Sequence, residues 1–105
     1  MEMQPNPDEL CGDYQRAAKW YYHAKKEQSP VPADEASRIR DIALRKAAEL
    51  GYKADKLRFD LVAVANIYIA FLYPQPLGER IFIGGGDLLI VIEEKGSILC
   101  FHRGA

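Results

Sequence analysis

Polar and apolar positions follow different periods in the two halves of the chain. Apolar residues recur every three or four positions up to residue 50, which is typical of amphipathic helices, and every second position from residue 57 onward, which is typical of strands. Residues 1–56 carry 20 of the 29 charged side chains and residues 57–105 carry 9, so the strand half is much less polar. The pattern predicts an α+β fold in which two N-terminal helices pack on an antiparallel β-meander of three to five strands.

Two helices are predicted, at about residues 7–28 and 34–50. A capping box that begins at Asn6 opens the first helix, and the proline-rich connector that follows cannot continue it. Gly51 stands where a left-handed C-cap is needed after the second helix. Because the connector is short, we expect the two helices to lie side by side.

The rest of the chain predicts the strands of the meander. Asn66 separates the first two strands, and a glycine-containing turn at 93–97 joins the last two into a hairpin. The three glycines at 84–86 favour a sharp bend over a phosphate loop, because a strand follows them and Asp87 would repel an anion. The predicted strands are 57–64, 67–73, a short edge strand at 81–83, 88–92 and 98–102.

Both faces of the predicted sheet are apolar. In the second strand, the side chains of Ile67, Ile69 and Phe71 oppose those of Tyr68, Ala70 and Leu72. The helices can cover one face, and leaving several apolar side chains of the other face in water would forgo several kcal/mol at about 25 cal/mol per Å². We therefore expect a subunit, a partner or an apolar ligand to cover the second face, unless the sheet curls on itself. A homodimer through that face or through a sheet edge is the leading expectation.

Composition narrows the class of protein. A chain of 105 residues fits a single domain, 1–105. The 14 cations and 15 anions are evenly mixed, so no basic stripe is present and no nucleic-acid partner is predicted. The uncharged run 61–73 is too short to cross a bilayer as a helix, so no membrane span is predicted. The N-terminal residues lack the basic start and apolar core of a secretory signal, which predicts a cytoplasmic protein.

The two cysteines, Cys11 and Cys100, lie far apart in the sequence. We interpret them as two small buried hydrophobic residues, while a single bridge from the first helix to the last strand stays open. Cys100 and His102 share a strand face, but further metal ligands and an orienting group for a nucleophile are not evident. No metal, other cofactor or catalytic residue is predicted, and an enzyme is the less favoured class.

Candidate contact residues for a protein partner lie on the first helix, the second strand and the loop after it. Trp20 and Tyr22 flank the apolar stripe of the helix, and aromatic residues of this kind are enriched among interface anchors. Glu79 and Arg80 lie in a loop bounded by prolines and glycines, where recognition residues often occur. The six candidates are Trp20, Tyr22, Tyr68, Glu79, Arg80 and Phe82.

A second hypothesis places a small-molecule or enzymatic pocket between the helices and a curved sheet. Its polar lining would be Tyr14, Asp60 and His102. A large enclosed cavity holding a buried carboxylate with a shifted pKa would favour this hypothesis. A purely structural, self-assembling module is a third hypothesis.

A series of short patterns runs through residues 35–104. They are Ala36-x-x-Ile39-x-x-Ile42-Ala43, Leu50-Gly51-Tyr52, an apolar strand ending at Tyr73-Pro74, Gly84-Gly85, the strand 88–92, the turn at Lys95-Gly96 and the strand 98–101. This series resembles small bacterial cystatin-like domains, which include immunity proteins with the nuclear-transport-factor-like fold. Its strand, glycine turn and strand at the end are also similar to PepSY-type domains. Either resemblance implies a non-enzymatic binding domain without identifying the partner.

Overall fold

The computed structural model describes residues 7–27, 31–53, 57–74 and 87–103. Helices come first and an antiparallel meander follows, which confirms the predicted α+β class. The elements are α1 (Pro7–Leu10), α2 (Tyr14–Glu27), α3 (Ala33–Glu49), β1 (Leu57–Val64), β2 (Ile67–Pro74), β3 (Leu88–Glu93) and β4 (Ile98–Arg103). The strand expected at 81–83 and the glycines at 84–86 lie outside the described residues.

The prediction of one continuous helix over residues 7–28 is wrong, because the segment forms two helices. A turn that includes Cys11 and Gly12 separates α1 from α2. Asp13 then begins α2 as its N-cap, since its Oδ1 accepts a hydrogen bond from the backbone N–H of Arg16 at 2.8 Å. Because of this break, Cys11 lies in a turn and not in a helix, and from there its side chain contacts the sheet.

The predicted C-cap of α3 is confirmed. Gly51 has φ 95°, in the left-handed region that favours glycine. The N–H of Tyr52 donates to the carbonyl of Ala47 at 2.9 Å, and the N–H of Gly51 donates to that of Ala48 at 3.1 Å. These two bonds form a Schellman motif, which turns the chain from α3 toward β1.

The strands pair in the order β1-β2-β3-β4, each antiparallel to its neighbour. The pairing of β1 with β2 is regular over all eight residues of each strand. The pairing of β3 with β4 shifts register between Val91 and Ile92, so β4 is irregular. Gly96, with φ 102°, closes the turn between them as predicted.

The helix α2 packs on one side of the sheet, called the α2 face below. Leu10 of α1 is buried in the same cluster, which places α1 on this side as well. The buried stripe of α2 consists of Ala17, Tyr21 and Ala24. The buried sheet residues of this cluster are Val62, Val64, Ile69, Leu89 and Val91.

The helix α3 packs on the other side, called the α3 face below. Its buried stripe is Ile39, Ala43 and Ala47, and the two small alanines allow the helix to approach the strands closely. The buried sheet residues of this cluster are Ala70, Leu72, Leu88, Ile90 and Ile92.

The sheet is thus apolar on both faces, but the chain covers both with its own helices. The expectations that the two helices lie side by side, and that a partner must cover the second face, are therefore wrong. The interpretation failed because α2 and α3 carry similar apolar stripes, and periodicity does not say which face of the sheet receives each helix. Among the described strands, β1 and β4 are the two edges that remain.

Candidate functional site

The candidate site is the edge strand β1 together with the side chains that surround it on the α2 face. Asp60, in the middle of β1, accepts hydrogen bonds at Oδ2 from the Tyr21 hydroxyl and from Lys25 Nζ, the latter at 2.6 Å. Its Oδ1 accepts from the backbone N–H of Leu61 at 3.0 Å. A charged group of the edge strand is therefore fixed directly to α2.

The electrostatics keep this group ionised. Partial burial raises the pKa of Asp60, but the hydrogen bonds from Lys25, Tyr21 and the Leu61 amide outweigh burial and lower its pKa below the ordinary value. Burial, and then the hydrogen bond and charge of Asp60, raise the pKa of the Tyr21 hydroxyl. At neutral pH the pair is thus a fixed carboxylate and a fixed donor, which is an arrangement for holding structure and charge.

Four aromatic rings, called the aromatic patch below, lie beside Asp60. They are Tyr21, Tyr22, Phe71 and Tyr73. The ring centroids of Tyr21 and Phe71 are 5.1 Å apart, and Phe71 stacks on Tyr73 at 5.2 Å. Tyr22 contacts Tyr21 edge-on at 5.2 Å, and 56% of its surface is exposed. Amphipathic rings of this kind give large contact areas at protein interfaces.

Sequence reasoning missed a second aspartate and tyrosine pair on the α2 face. Asp87 precedes β3, is 7% exposed, and accepts a hydrogen bond from the Tyr14 hydroxyl. Burial, followed by the hydrogen bond and charge of Asp87, raises the pKa of Tyr14. The signal in the sequence is that Asp87 directly precedes an apolar strand and that no other charged residue follows until Glu93. A carboxylate buried at the start of such a strand needs a hydrogen-bond donor.

The pocket hypothesis grouped Tyr14, Asp60 and His102, and the structure separates their roles. All three lie on the α2 side, but Tyr14 bonds to Asp87, while His102 Nε2 lies 2.9 Å from the carbonyl oxygen of Leu10. Asp60 is on β1 and His102 on β4, and three strand spacings of about 4.8 Å put them roughly 14 Å apart. Among the described residues, no hydrogen bond joins any two of the three.

The two cysteines form a disulfide. Cys11, in the turn after α1, is bonded to Cys100 on β4, with their Cα atoms 5.7 Å apart. The interpretation as two separate buried thiols is therefore wrong, and the alternative of a single bridge is the correct one. The bridge fixes the short helix α1 on the sheet at the edge opposite β1.

A groove of about 520 Å³, open to solvent, lies between α1 and α2. Side chains of both charge signs line it together with half-buried Trp20, whose ring also meets His23 edge-on at 6.0 Å. The groove shares no residue with the proposed pocket. Its lining residues are Asp8, Glu9, Arg16, Lys19 and Trp20.

Tyr68, another candidate contact residue, lies on the α3 face, away from Trp20 and Tyr22. Its hydroxyl donates to Glu35 Oε2 at 2.8 Å, and Arg38 Nη2 donates to the same oxygen at 3.0 Å. These hydrogen bonds, first from Arg38 and then from Tyr68, lower the pKa of Glu35. The remaining candidates, Glu79, Arg80 and Phe82, lie outside the described residues.

Comparison of the chain with known protein families, with curated proteins and with solved structures finds no match. In the described ranges, no helix has the length and apolar character needed to cross a membrane. Across those same ranges, no three His, Cys, Asp or Glu side chains are grouped so that they could hold a metal ion.

Proposed function

We propose that this is a small non-catalytic binding protein that acts through protein–protein contact at the edge of β1. The observation that carries the proposal is the regularity of this edge, which pairs with β2 over eight residues and has no described strand on its outer side. The outward backbone N–H and C=O groups of such a strand are a template for another strand.

The side chains around the edge favour the same role. On the α2 face, the aromatic patch and Asp60 border the strand. On the α3 face, Leu57, Phe59 and Leu61 are only half-buried by the helix. A partner strand would remove part of these side chains from water, which adds a hydrophobic contribution to the backbone hydrogen bonds.

The other edge, β4, is less suited to strand addition. Its register shift interrupts the regular alternation of backbone groups, and such bulges are a common means of protecting an edge. Within the described sheet, β1 is therefore the edge better prepared for a partner.

The resemblance found in the sequence supports a binding class. In the described residues, the stretch that carries it corresponds to α3 and the four strands. In this proposal that unit is a bacterial cystatin-like, immunity- or inhibitor-like domain that covers a surface of its partner, and α1 and α2 are an addition that covers the second face.

The disulfide bears on the compartment. The cytoplasm is one candidate compartment, but cytoplasmic thiols are kept reduced, whereas disulfides persist in oxidising compartments. Alkylation of free thiols in intact cells separates the two. Modification of both Cys11 and Cys100 would support the cytoplasm, and protection of both would support an oxidising compartment.

Site-specific photo-crosslinking in the native cells tests the binding proposal. A photoreactive residue replaces Arg58, which is exposed on β1, and in a matched control it replaces Arg45, which is exposed on α3. We expect a discrete cross-linked protein adduct from position 58 and none from position 45. The absence of an adduct at position 58, or equal adducts at both positions, would contradict binding at the β1 edge.

A small-molecule site is the second candidate, and buried Asp87 with its partner Tyr14 is the observation that favours it. Ligand-observed NMR with a fragment library tests it on the wild type and on Tyr14→Phe. Fragments that bind only the wild type would support a site at this pair. A library without such fragments would leave the pair a structural one.

A further inference from the structure

We infer that the partner at the β1 edge is a second copy of this chain, and that the two β1 strands pair antiparallel about a twofold axis at Phe59. Four strands from each copy then form one continuous sheet. The inference rests on the proposed binding role of this edge and adds the identity and register of the partner strand.

Symmetry limits the registers that two copies can adopt. A twofold axis normal to the sheet makes the interface isologous and keeps the α2 faces of both copies on the same side. Directly opposed residues of an antiparallel pair point to the same face, so their numbers must both be odd or both be even. The axis therefore passes through one residue and its own copy, and the four central choices in β1 are Phe59, Asp60, Leu61 and Val62.

In the register centred on Phe59, residues of opposite charge face each other across the two strands. Arg58 of each copy lies opposite Asp60 of the other, which gives two symmetry-related ion pairs on the α2 face. On the α3 face, Phe59 meets its own copy and Leu57 lies opposite Leu61. Opposite charges and aromatic pairs across strands both stabilise a sheet, so this segment is complementary to itself.

The other three central registers lack this match. An axis at Asp60 sets two carboxylates directly opposite each other, which is destabilising. An axis at Leu61 sets Arg58 opposite Val64 and Asp60 opposite Val62, so neither charge gains a partner. An axis at Val62 sets Asp60 opposite Val64 and leaves Arg58 beyond the end of the opposite strand. Of the four registers, only the one centred on Phe59 pairs both charges of β1.

Arg58 and Asp60 are both able to form this ion pair between copies. Arg58 is exposed, and no described acidic residue forms an ion pair with it. The bonds from Tyr21 and Lys25 converge on Oδ2 of Asp60, while Oδ1 accepts from the Leu61 amide. Because an ionised carboxylate has about four acceptor positions, Asp60 can also accept a guanidinium. The network from α2 holds the carboxylate in place for it.

Sedimentation over a concentration series tests the second copy as the occupant. We expect a monomer–dimer equilibrium for the wild type, a dissociation constant raised roughly tenfold or more by Arg58→Glu, and near-wild-type association for Arg58→Lys. Arg45→Glu makes the same charge change on exposed α3 and should leave association unchanged. A wild type that stays monomeric at every concentration, or an Arg58→Glu variant that dimerises like the wild type, would overturn the inference.

Cysteine trapping tests the register, with the native disulfide intact. In the proposed register Phe59→Cys places two new thiols opposite each other, and mild oxidation should give a covalent dimer joined at position 59 by peptide mapping. Leu61→Cys is the matched variant and should give no covalent dimer, because residue 61 lies opposite residue 57 in this register. Trapping through Leu61→Cys instead would overturn the register.

The two proposals fail separately. A purified chain that never dimerises, but forms an adduct with a different protein from position 58 in cells, overturns the second copy and leaves binding at the β1 edge standing. A chain that forms no adduct from position 58 and also stays monomeric at every concentration overturns the binding proposal itself.

Discussion

The α2 face and the α3 face both bury apolar strand residues, but they are held by different interactions. On the α2 face, a disulfide and two aspartate–tyrosine pairs join the helical layer to the sheet. On the α3 face, Ile39 and two alanines pack closely on the strands, and the polar contacts of Glu35 and Arg38 lie at the rim. One helix is placed by specific partners, whereas the other is placed mainly by close packing.

The comparison also explains why the edge matters. Because helices of the same chain cover both faces of the sheet, no partner is needed to cover an apolar face. Asp60 is the point where the specific contacts of the α2 face reach the edge strand, so the same residue holds α2 and borders the proposed interface.

Of the predicted changes, loss of the disulfide on the α2 face should lower the free energy of unfolding the most. The Cys11–Cys100 bridge spans a sequence separation of 89, and loop-closure entropy predicts about 4.5 kcal/mol of stabilisation for such a loop. We expect Cys11→Ser with Cys100→Ser to lower the free energy of unfolding by about that amount in urea titrations. Reduction of the wild type is the matched control and should give a similar loss. A double variant within about 1 kcal/mol of the wild type would show that the bridge does not stabilise this layer.

Truncation of a buried side chain of α3 should have the next largest effect on the free energy of unfolding. Ile39 is fully buried against the sheet, so Ile39→Ala removes apolar contacts and leaves a cavity that costs roughly 2–5 kcal/mol. Urea unfolding measures the loss. The matched control, Ser37→Ala, changes an exposed residue of the same helix and should stay within about 0.5 kcal/mol of the wild type. A small loss at Ile39 would contradict placement of α3 by close packing.

Removal of one hydroxyl should have a smaller effect on the α2 layer. Tyr21→Phe keeps the buried ring but deletes the donor to Asp60, which should cost roughly 1–3 kcal/mol because the lost bond is to a charged group. Tyr22→Phe is the control, since its exposed side chain lies one residue away. Equal unfolding free energies for the two variants would mean that the Tyr21–Asp60 bond contributes nothing specific.

The smallest expected effect is on the pKa of one carboxylate on each face, Asp60 on the α2 face and Glu35 on the α3 face. The pKa values of Asp60 and Glu35 are both lowered in the folded chain. Their stabilisation is therefore present above the unfolded pKa of about 4 and is lost as the pH falls through the lower folded pKa. We expect Tyr21→Phe to raise the pKa of Asp60 and Tyr68→Phe to raise that of Glu35, each only in part, because Lys25 and Arg38 remain as the larger causes that lower these pKa values.

Carboxyl NMR titrations of the wild type and both variants measure these values. The same titrations supply the control, since each variant should leave the pKa of the carboxylate on the opposite face unchanged. A pKa of Asp60 at or above the ordinary value in the wild type would contradict the proposed network.

Local signals predicted the strands well. Alternation from Leu57 and the interruption at Asn66 place β1 and β2 within one residue of their observed bounds. Gly51 and Gly96 were predictable because a left-handed backbone conformation at a helix end or in a tight turn favours glycine. These features depend on a few neighbouring residues, which a sequence displays directly.

Long-range placement could not be predicted in the same way. The stripes on α2 and α3 are alike, so nothing local assigns each helix to a face of the sheet. Cys11 and Cys100 are 89 positions apart, and their pairing depends on a fold that the two residues do not specify. Asp60 was recognisable as a polar position in an apolar strand, but its partners Tyr21 and Lys25 became identifiable only once α2 was placed over β1.

Amide hydrogen exchange across a concentration series tests most directly the central claim, that the chain covers both faces of its sheet and offers the β1 edge. In dilute protein, we predict fast exchange at alternate amides of β1 and slow exchange throughout the paired part of β3. At high concentration, the fast amides of β1 should become slow. Fast exchange along β3, or β1 amides that exchange uniformly slowly at every concentration, would contradict the claim.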